Sequence, residues 1–265
     1  ITVTVMGLIV IGGIGIPVLV EMGRLAWRKF RRRPAHMGLH ARLVLWTSGG
    51  LIVGGTLLIL AVGHWGPLAE MGWGSRIEAA LFQSVTSRTA GFNTVPIGRL
   101  GEPALLVLVM LMAVGGSPGS TAGGLKTTSL ATMILMVRAR LRGREAVSAL
   151  GRTIPARTQT KVFALLALSL VVLFAATLVL LIFERDIALP EGKGLVTCIG
   201  FEVVSAFATV GLSTGITPEF GPVGKLVLIV VMFAGRLGPL TFIELISQRV
   251  PPLKYRYPEE DIIVG

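Results

Sequence analysis

Apolar runs close to the length of a membrane-crossing helix alternate along the chain with short basic or glycine-rich breaks. Residues 1–20 form the first run and end at a basic stretch; 41–62 form the second. The helix-patterned stretch 75–85 is too short to cross a bilayer, and Thr86 to Asn93 follow it as extended chain. A half-helix that dips in and leaves as extended chain is a re-entrant loop, tolerated only where protein or water covers its backbone. Residues 104–137 exceed one span, and the excess falls at Gly115–Gly124, where five of ten positions are glycine and Pro118 adds a further break. Residues 160–183 cross again, 194–207 dip, 208–214 run extended and 223–246 return. The pattern predicts an all-α polytopic membrane protein.

The pattern also repeats. Phe82 to Thr86 (FQSVT) aligns with Phe201 to Ser205 (FEVVS) 119 residues later, and Thr89 to Phe92 (TAGF) with Thr209 to Leu212 (TVGL) 120 residues later. Two units of helix, pore loop and helix therefore follow one another. A third copy is partial: Gly12–Gly15 (GGIG) resembles Gly115–Pro118 (GGSP) and Gly235–Gly238 (GRLG), all midway along inward-running helices.

Composition agrees with a membrane class. Hydrophobic residues make up 52% of the 265 and charged residues 15%, against about 25% charged in soluble domains. That excludes a soluble enzyme, a disulfide-rich secreted domain and a disordered tail. The 34 glycines show no G-X-Y period, and the single Cys198 allows neither an internal disulfide nor a cysteine metal cluster. Ile1–Val20 shows no initiator Met and no charged leader, so it reads as the tail of a span and not as a signal peptide. The net charge of +11 sits mostly in three segments: 17 of the 25 basic residues lie at 24–42, 138–161 and 249–256. By the positive-inside rule these face the cytoplasm. The same placement argues against a nucleic-acid partner, whose surface would interleave aromatic and basic residues on a soluble fold. The Arg31–Arg33 run suits membrane-lipid headgroups.

The paired TAGF and TVGL segments carry the chemistry. Each follows a half-helix whose negative C-terminal end points into the membrane, where it favours a cation. Glycine reaches the dihedrals that aim successive carbonyls at one axis, as in the TVGYG filter of potassium channels. Thr89, Ala90, Gly91 and Phe92, with Thr209, Val210, Gly211 and Leu212, are the expected filter, holding potassium at backbone carbonyls. Tight-turn glycines with no ion role are the alternative.

Gly115–Gly119 formally fits G-x-S-x-G, but His36, His40 and His64 sit at loops or span ends and leave Ser117 without an evident base. Leu125 spoils a phosphate-loop spacing before Lys126. No enzyme is expected. A kinked helix packed through small residues remains one reading of this segment. Arg236 stands where the related copies have Gly13 and Gly116, and a charge at that depth costs about 2.5–3.5 kcal/mol on insertion scales. It reads either as a positive barrier below the filter or as a structural partner of backbone carbonyls or Glu244. Arg88, with Glu202 as a candidate partner, reads as a pore-loop brace, and Lys126 as lining an inner vestibule; helix-end snorkelling is the alternative for both.

Phe82–Val95 (FQSVTSRTAGFNTV), Gly115–Thr128 (GGSPGSTAGGLKTT), Phe201–Ile216 (FEVVSAFATVGLSTGI) and Met232–Phe242 (MFAGRLGPLTF) together resemble the TrkH/KtrB family of bacterial potassium-uptake subunits, and Tyr257–Gly265 (YPEEDIIVG) resembles the Ktr-type ending. The resemblance implies four helix–pore loop–helix repeats around one pore. This chain would hold the last helix of repeat two (1–20), a basic cytoplasmic loop (21–40), repeat three (41–137, filter unit 75–93), a second basic loop (138–159), repeat four (160–247, filter unit 194–214) and a cytoplasmic tail (248–265). It further implies an intramembrane gating loop at 113–124, carried by Gly115, Gly116, Ser117, Pro118, Gly119, Ser120, Thr121, Gly123 and Gly124, acting with Lys126 and Arg236. Implied too are a homodimer, a cytosolic ring of RCK-type nucleotide-binding subunits, a place in the bacterial plasma membrane, and potassium as cargo with sodium as a candidate coupling ion. A non-conducting membrane scaffold with degenerate pore loops is the competing reading.

Overall fold

A computed structural model describes residues 1–34, 36–63 and 67–238. Glu244, the last part of the 223–247 helix and the tail 248–265 lie outside the described residues.

The chain opens on α1 (Thr2–Ile14) and α2 (Ile16–Phe30), set 100° apart. The sequence reading expects one helix over 1–20; the structure turns it at Gly15. Gly15 has φ 92° and ψ 144°, a conformation that residues with a Cβ avoid. Pro17 in the first turn of α2 lacks the N–H that would continue the ladder from α1. Gly238, its counterpart in the last repeat, has φ 83° and ψ 132° as the C-cap of α9 (Pro222–Leu237). The sequence match between GGIG and GRLG is thus a match of backbone geometry.

Among the described residues, two helices, α3 (Leu39–Val62) and α7 (Ala156–Phe183), are each long and apolar enough to cross a membrane, with mean hydropathies of 2.0 and 3.0. At a rise of 1.5 Å per residue α7 is roughly 42 Å long. It buries only a seam at Val162, Ser169, Ala176 and Leu180, while Phe163, Leu170, Val171 and Phe174 stay exposed. A helix apolar all round yet packed along one stripe leaves the rest of its surface suited to an apolar surround.

The dipping helices differ. α4 (Trp73–Thr86) and α8 (Leu195–Phe207) are roughly 20 Å long, short of the hydrocarbon thickness. Every residue of α8 from Phe201 to Phe207 is buried. It is wrapped by α5 (Glu102–Ala113), α7 and α9, so protein replaces lipid around it. Its own Ile199, Phe201 and Phe207 are fully buried, as are Leu180 and Phe220 packed beside them. Carboxylates seat two helix starts: Glu102 accepts the Gly194 N–H at the head of α8 (2.8 Å), and buried Glu184 accepts the Gly221 N–H at the head of α9 (3.1 Å to each oxygen). Negative charge at a helix N-terminus is favourable.

α5 and α6 (Thr127–Leu141) are the halves of the over-long apolar stretch, separated by residues 114–126. The second basic loop holds a small hairpin that the sequence reading does not expect, β1 (Ser148–Ala149) with β2 (Arg152–Thr153). Leu150 and Gly151, both with positive φ, make its two-residue turn.

One contact fixes the packing of α9 on the pore helix. A Cβ on Gly235 would stand 1.7 Å from the Phe207 carbonyl oxygen. Gly235→Ala is therefore expected to destabilise the fold by about 3 kcal/mol, as overpacking of a tight interface does. Thermal unfolding of the detergent-purified protein checks this; an unchanged midpoint would contradict so close an approach.

Candidate functional site

The two segments expected to form the filter, Thr89–Phe92 and Thr209–Leu212, adopt the same backbone. Four non-glycine residues among those described have positive φ, and two of them are Thr89 (69°) and Thr209 (53°). Gly91 (73°) and Gly211 (90°) follow two residues on, while Ala90 and Val210 between them do not have positive φ. Alternating the sign of φ rotates successive peptide planes, which brings neighbouring carbonyls round to one side. Left-handed backbone at threonine is strained and persists only where the surroundings hold it.

Those surroundings are hydroxyls on the pore helices. Thr86 Oγ1 donates to the Phe92 carbonyl (2.8 Å), and Ser205 Oγ donates to the Leu212 carbonyl (2.6 Å). Each hydrogen bond ties the last turn of a pore helix to the fourth residue of its loop, closing the arc between. The backbone repeats this equivalence: the Ala90 N–H donates to the Thr86 carbonyl (3.1 Å) and the Val210 N–H to the Ser205 carbonyl (2.9 Å). The two arcs touch. A Cβ on Gly91 would lie 2.3 Å from the Val210 carbonyl oxygen. A cavity of about 570 Å³ opens beside the second arc, lined by Glu202, Thr209, Val210, Gly211, Leu212 and Met232 among others.

The glycine-rich segment lies against the second arc as an irregular loop. Its neck is closed by Gly115 N–H to the Leu125 carbonyl (2.8 Å), Thr127 N–H to the Gly116 carbonyl (3.1 Å) and a hydrogen bond between the Ser117 and Thr127 hydroxyls (2.9 Å). The body is held on three sides. At the Gly15 bend, the Ser117 N–H donates to the Gly13 carbonyl (2.9 Å) and the Ile16 N–H to the Gly119 carbonyl (3.1 Å). At the second arc, the Gly123 N–H donates to Thr209 Oγ1 (3.1 Å). At α9, the Gly124 N–H donates to the Gly235 carbonyl (3.3 Å), and the Arg236 guanidinium donates to the Thr121 carbonyl. Lys126 folds back to donate to the Ala122 carbonyl. Two cations therefore grip Thr121 and Ala122, the two residues immediately before Gly123, which is bonded to Thr209.

The remaining glycines explain the composition. A Cβ on Gly115 would meet the Gly123 carbonyl oxygen at 2.1 Å, and one on Gly123 would meet Thr209 Oγ1 at 2.4 Å. The loop fits against the second arc because it lacks side chains there. Pro118 and Ser120 complete its turn, with Ser120 Oγ donating to the Ser117 carbonyl (2.6 Å).

One sequence reading needs revision. Glu202 is not a partner of Arg88: its oxygens take hydrogen bonds from Ser213, Thr214 and Thr217. Arg88 is buried with Nε unpartnered among the described residues. Ser117 is fully buried and its hydroxyl is hydrogen-bonded to that of Thr127. Sequence reasoning missed Thr86 and Ser205, although polar residues at equivalent positions of two apolar pore helices were a readable signal.

The family model described as "TrkH: Cation transport protein" matches residues 1–254. The chain belongs to this family. Among its TrkH-family relatives, the Ktr system potassium uptake protein D of Bacillus subtilis is 36% identical over 258 residues, covering 97% of this chain and 55% of that protein. The Ktr system potassium uptake protein B of Vibrio alginolyticus is 34% identical, covering 99% and 55%. The potassium/sodium uptake protein NtpJ of Enterococcus hirae is 34% identical, covering 98% and 56%. The chain thus spans about 55% of the length of these relatives. The crystal structure of the potassium transporter TrkH from Vibrio parahaemolyticus superposes with a TM-score of 0.70 at 20% identity, over 92% of this chain and 51% of that one. That likeness shows the fold, a polytopic helical membrane protein. The relatives are ion transport proteins and not enzymes.

Proposed function

We propose that this TrkH-family chain forms part of the ion-conducting subunit of a potassium-uptake system in the bacterial plasma membrane. Potassium sheds its water to the carbonyls of Thr89–Phe92 and Thr209–Leu212, and the 113–124 loop, with Lys126 and Arg236, obstructs the path below. The observation that carries this reading is the paired geometry of the arcs: left-handed threonine and glycine at matching positions, the same hydroxyl tie, and the two loops in contact. A packing turn needs no such duplication; a ring of carbonyls replacing a hydration shell does. The printed names of the relatives, potassium uptake and potassium/sodium uptake, support potassium as cargo and sodium as the candidate coupling ion. The "Ktr system" names support a multi-component assembly. In it this subunit dimerises and sits on a cytosolic RCK-type nucleotide-binding ring, docked through the basic segments 21–42 and 138–161.

Growth of an uptake-deficient bacterium at limiting potassium tests the reading. The protein as encoded is expected to restore growth and to take up rubidium. Membrane-inserted protein that does neither would favour the non-conducting scaffold.

A further inference from the structure

Glu202 is 4% exposed on the penultimate turn of α8 and accepts four hydrogen bonds. Its Oε1 takes the Ser213 hydroxyl (2.9 Å), the Thr214 N–H (2.8 Å) and the Thr214 hydroxyl (2.9 Å); its Oε2 takes the Thr217 hydroxyl (2.6 Å). All four donors lie in the five residues that follow Leu212. Ser213 Oγ also accepts the Gly215 N–H (2.9 Å), which directs its own proton to the carboxylate. One side chain of the pore helix thus gathers the whole strand leaving the second filter arc. Ser205, three residues on, holds the arc's last carbonyl.

The first arc lacks this device. The repeat equivalent of Glu202 is Gln83, fully buried, with neither amide atom partnered among the described residues. Asn93 and Thr94, the counterparts of Ser213 and Thr214, are exposed. The first arc is therefore tied by Thr86 alone, and the second by Ser205 and a carboxylate. Hydrogen bonds to a charged group are shorter and roughly twice as strong as neutral ones, so the second arc is the stiffer.

We propose that Glu202 is a positioning residue for ion selection: by clamping Ser213, Thr214 and Thr217 it fixes the width of the Thr209–Leu212 arc and so the preference for potassium over the smaller sodium ion. This rests on the filter reading above. An arc free to close would let carbonyls collapse onto sodium, which a held arc does not.

The test is the potassium-to-sodium uptake ratio per folded transporter, using the protein as encoded in proteoliposomes. A wild type without potassium preference would overturn the filter reading itself. With a selective wild type, Glu202→Ala is expected to lower the ratio about tenfold, the factor one charged hydrogen bond is worth. Glu202→Gln keeps an oxygen for the Oε1 donors and turns an N–H toward the Thr217 hydroxyl, which can accept; it is expected to hold the ratio within about threefold of wild type. An unchanged ratio in Glu202→Ala overturns the proposal, as does an equal loss in Glu202→Gln, which would make charge and not clamping the cause. Should Glu202→Ala fail to assemble, Thr217→Val removes one donor from a half-buried site. It is expected to cost about threefold in the ratio, and no change there overturns the proposal too.

Discussion

Gly91→Ser is expected to abolish the preference for potassium over sodium, and Gly211→Ser to weaken it. Both glycines have positive φ, where a side chain adds strain of about 1–2 kcal/mol. Only Gly91 also faces a steric block, the Val210 carbonyl oxygen 2.3 Å from its would-be Cβ; Gly211 meets only the Gly91 Cα at 3.9 Å. The first substitution must push the two arcs apart, while the second strains one arc in place. The added hydroxyl also offers sodium a tighter oxygen. Paired uptake measurements with potassium and sodium check the order. Equal ratios in both variants and wild type would remove these glycines from the filter.

The second large effect concerns the loop and Arg236. Arg236 bonds Thr121, and Gly123 bonds Thr209, so two residues of chain, about 7 Å at most, separate the cation's anchor from the filter's. Two unit charges about 6 Å apart at an effective dielectric near 20 repel by about 3 kcal/mol, a factor of roughly a hundred in occupancy. Arg236→Ala is expected to raise flux per folded protein severalfold and Arg236→Lys to change it less, because Lys keeps the charge. Excising Gly116–Gly123 should raise flux further. The neck residues Gly115 and Leu125 are already hydrogen-bonded, so the cut ends meet without stretching either helix. Loss of thermal stability with flux unchanged in both variants would make the loop a brace and Arg236 its clasp.

Much of this arrangement is legible in the chain, for a physical reason. Membrane helices carry their lengths in hydropathy, so the long spans and the two short dipping helices can be read directly. The internal repeat then lets one half check the other: the offsets of 119 and 120 place Thr89 against Thr209 before any coordinate is known. The bend at Gly15 was harder to see, because an apolar run looks the same straight or bent, and only the match to Gly235–Gly238 marks it. The hairpin at 148–153 is two residues per strand, too short for any periodicity. The role of Glu202 lay outside sequence reach because its donors are ordinary serine and threonine residues whose convergence depends on the turn after the filter. Arg236 was legible as an anomaly of depth, but its partner Thr121 follows from how the loop folds.

Anomalous scattering from thallium, a potassium substitute, bound to the protein as encoded would test the central claim most directly. The account predicts density on the axis faced by the carbonyls of Thr89–Gly91 and Thr209–Gly211, above the Thr121–Gly123 stretch of the loop. Ions found only elsewhere, with both arcs intact and that axis bare, would contradict it.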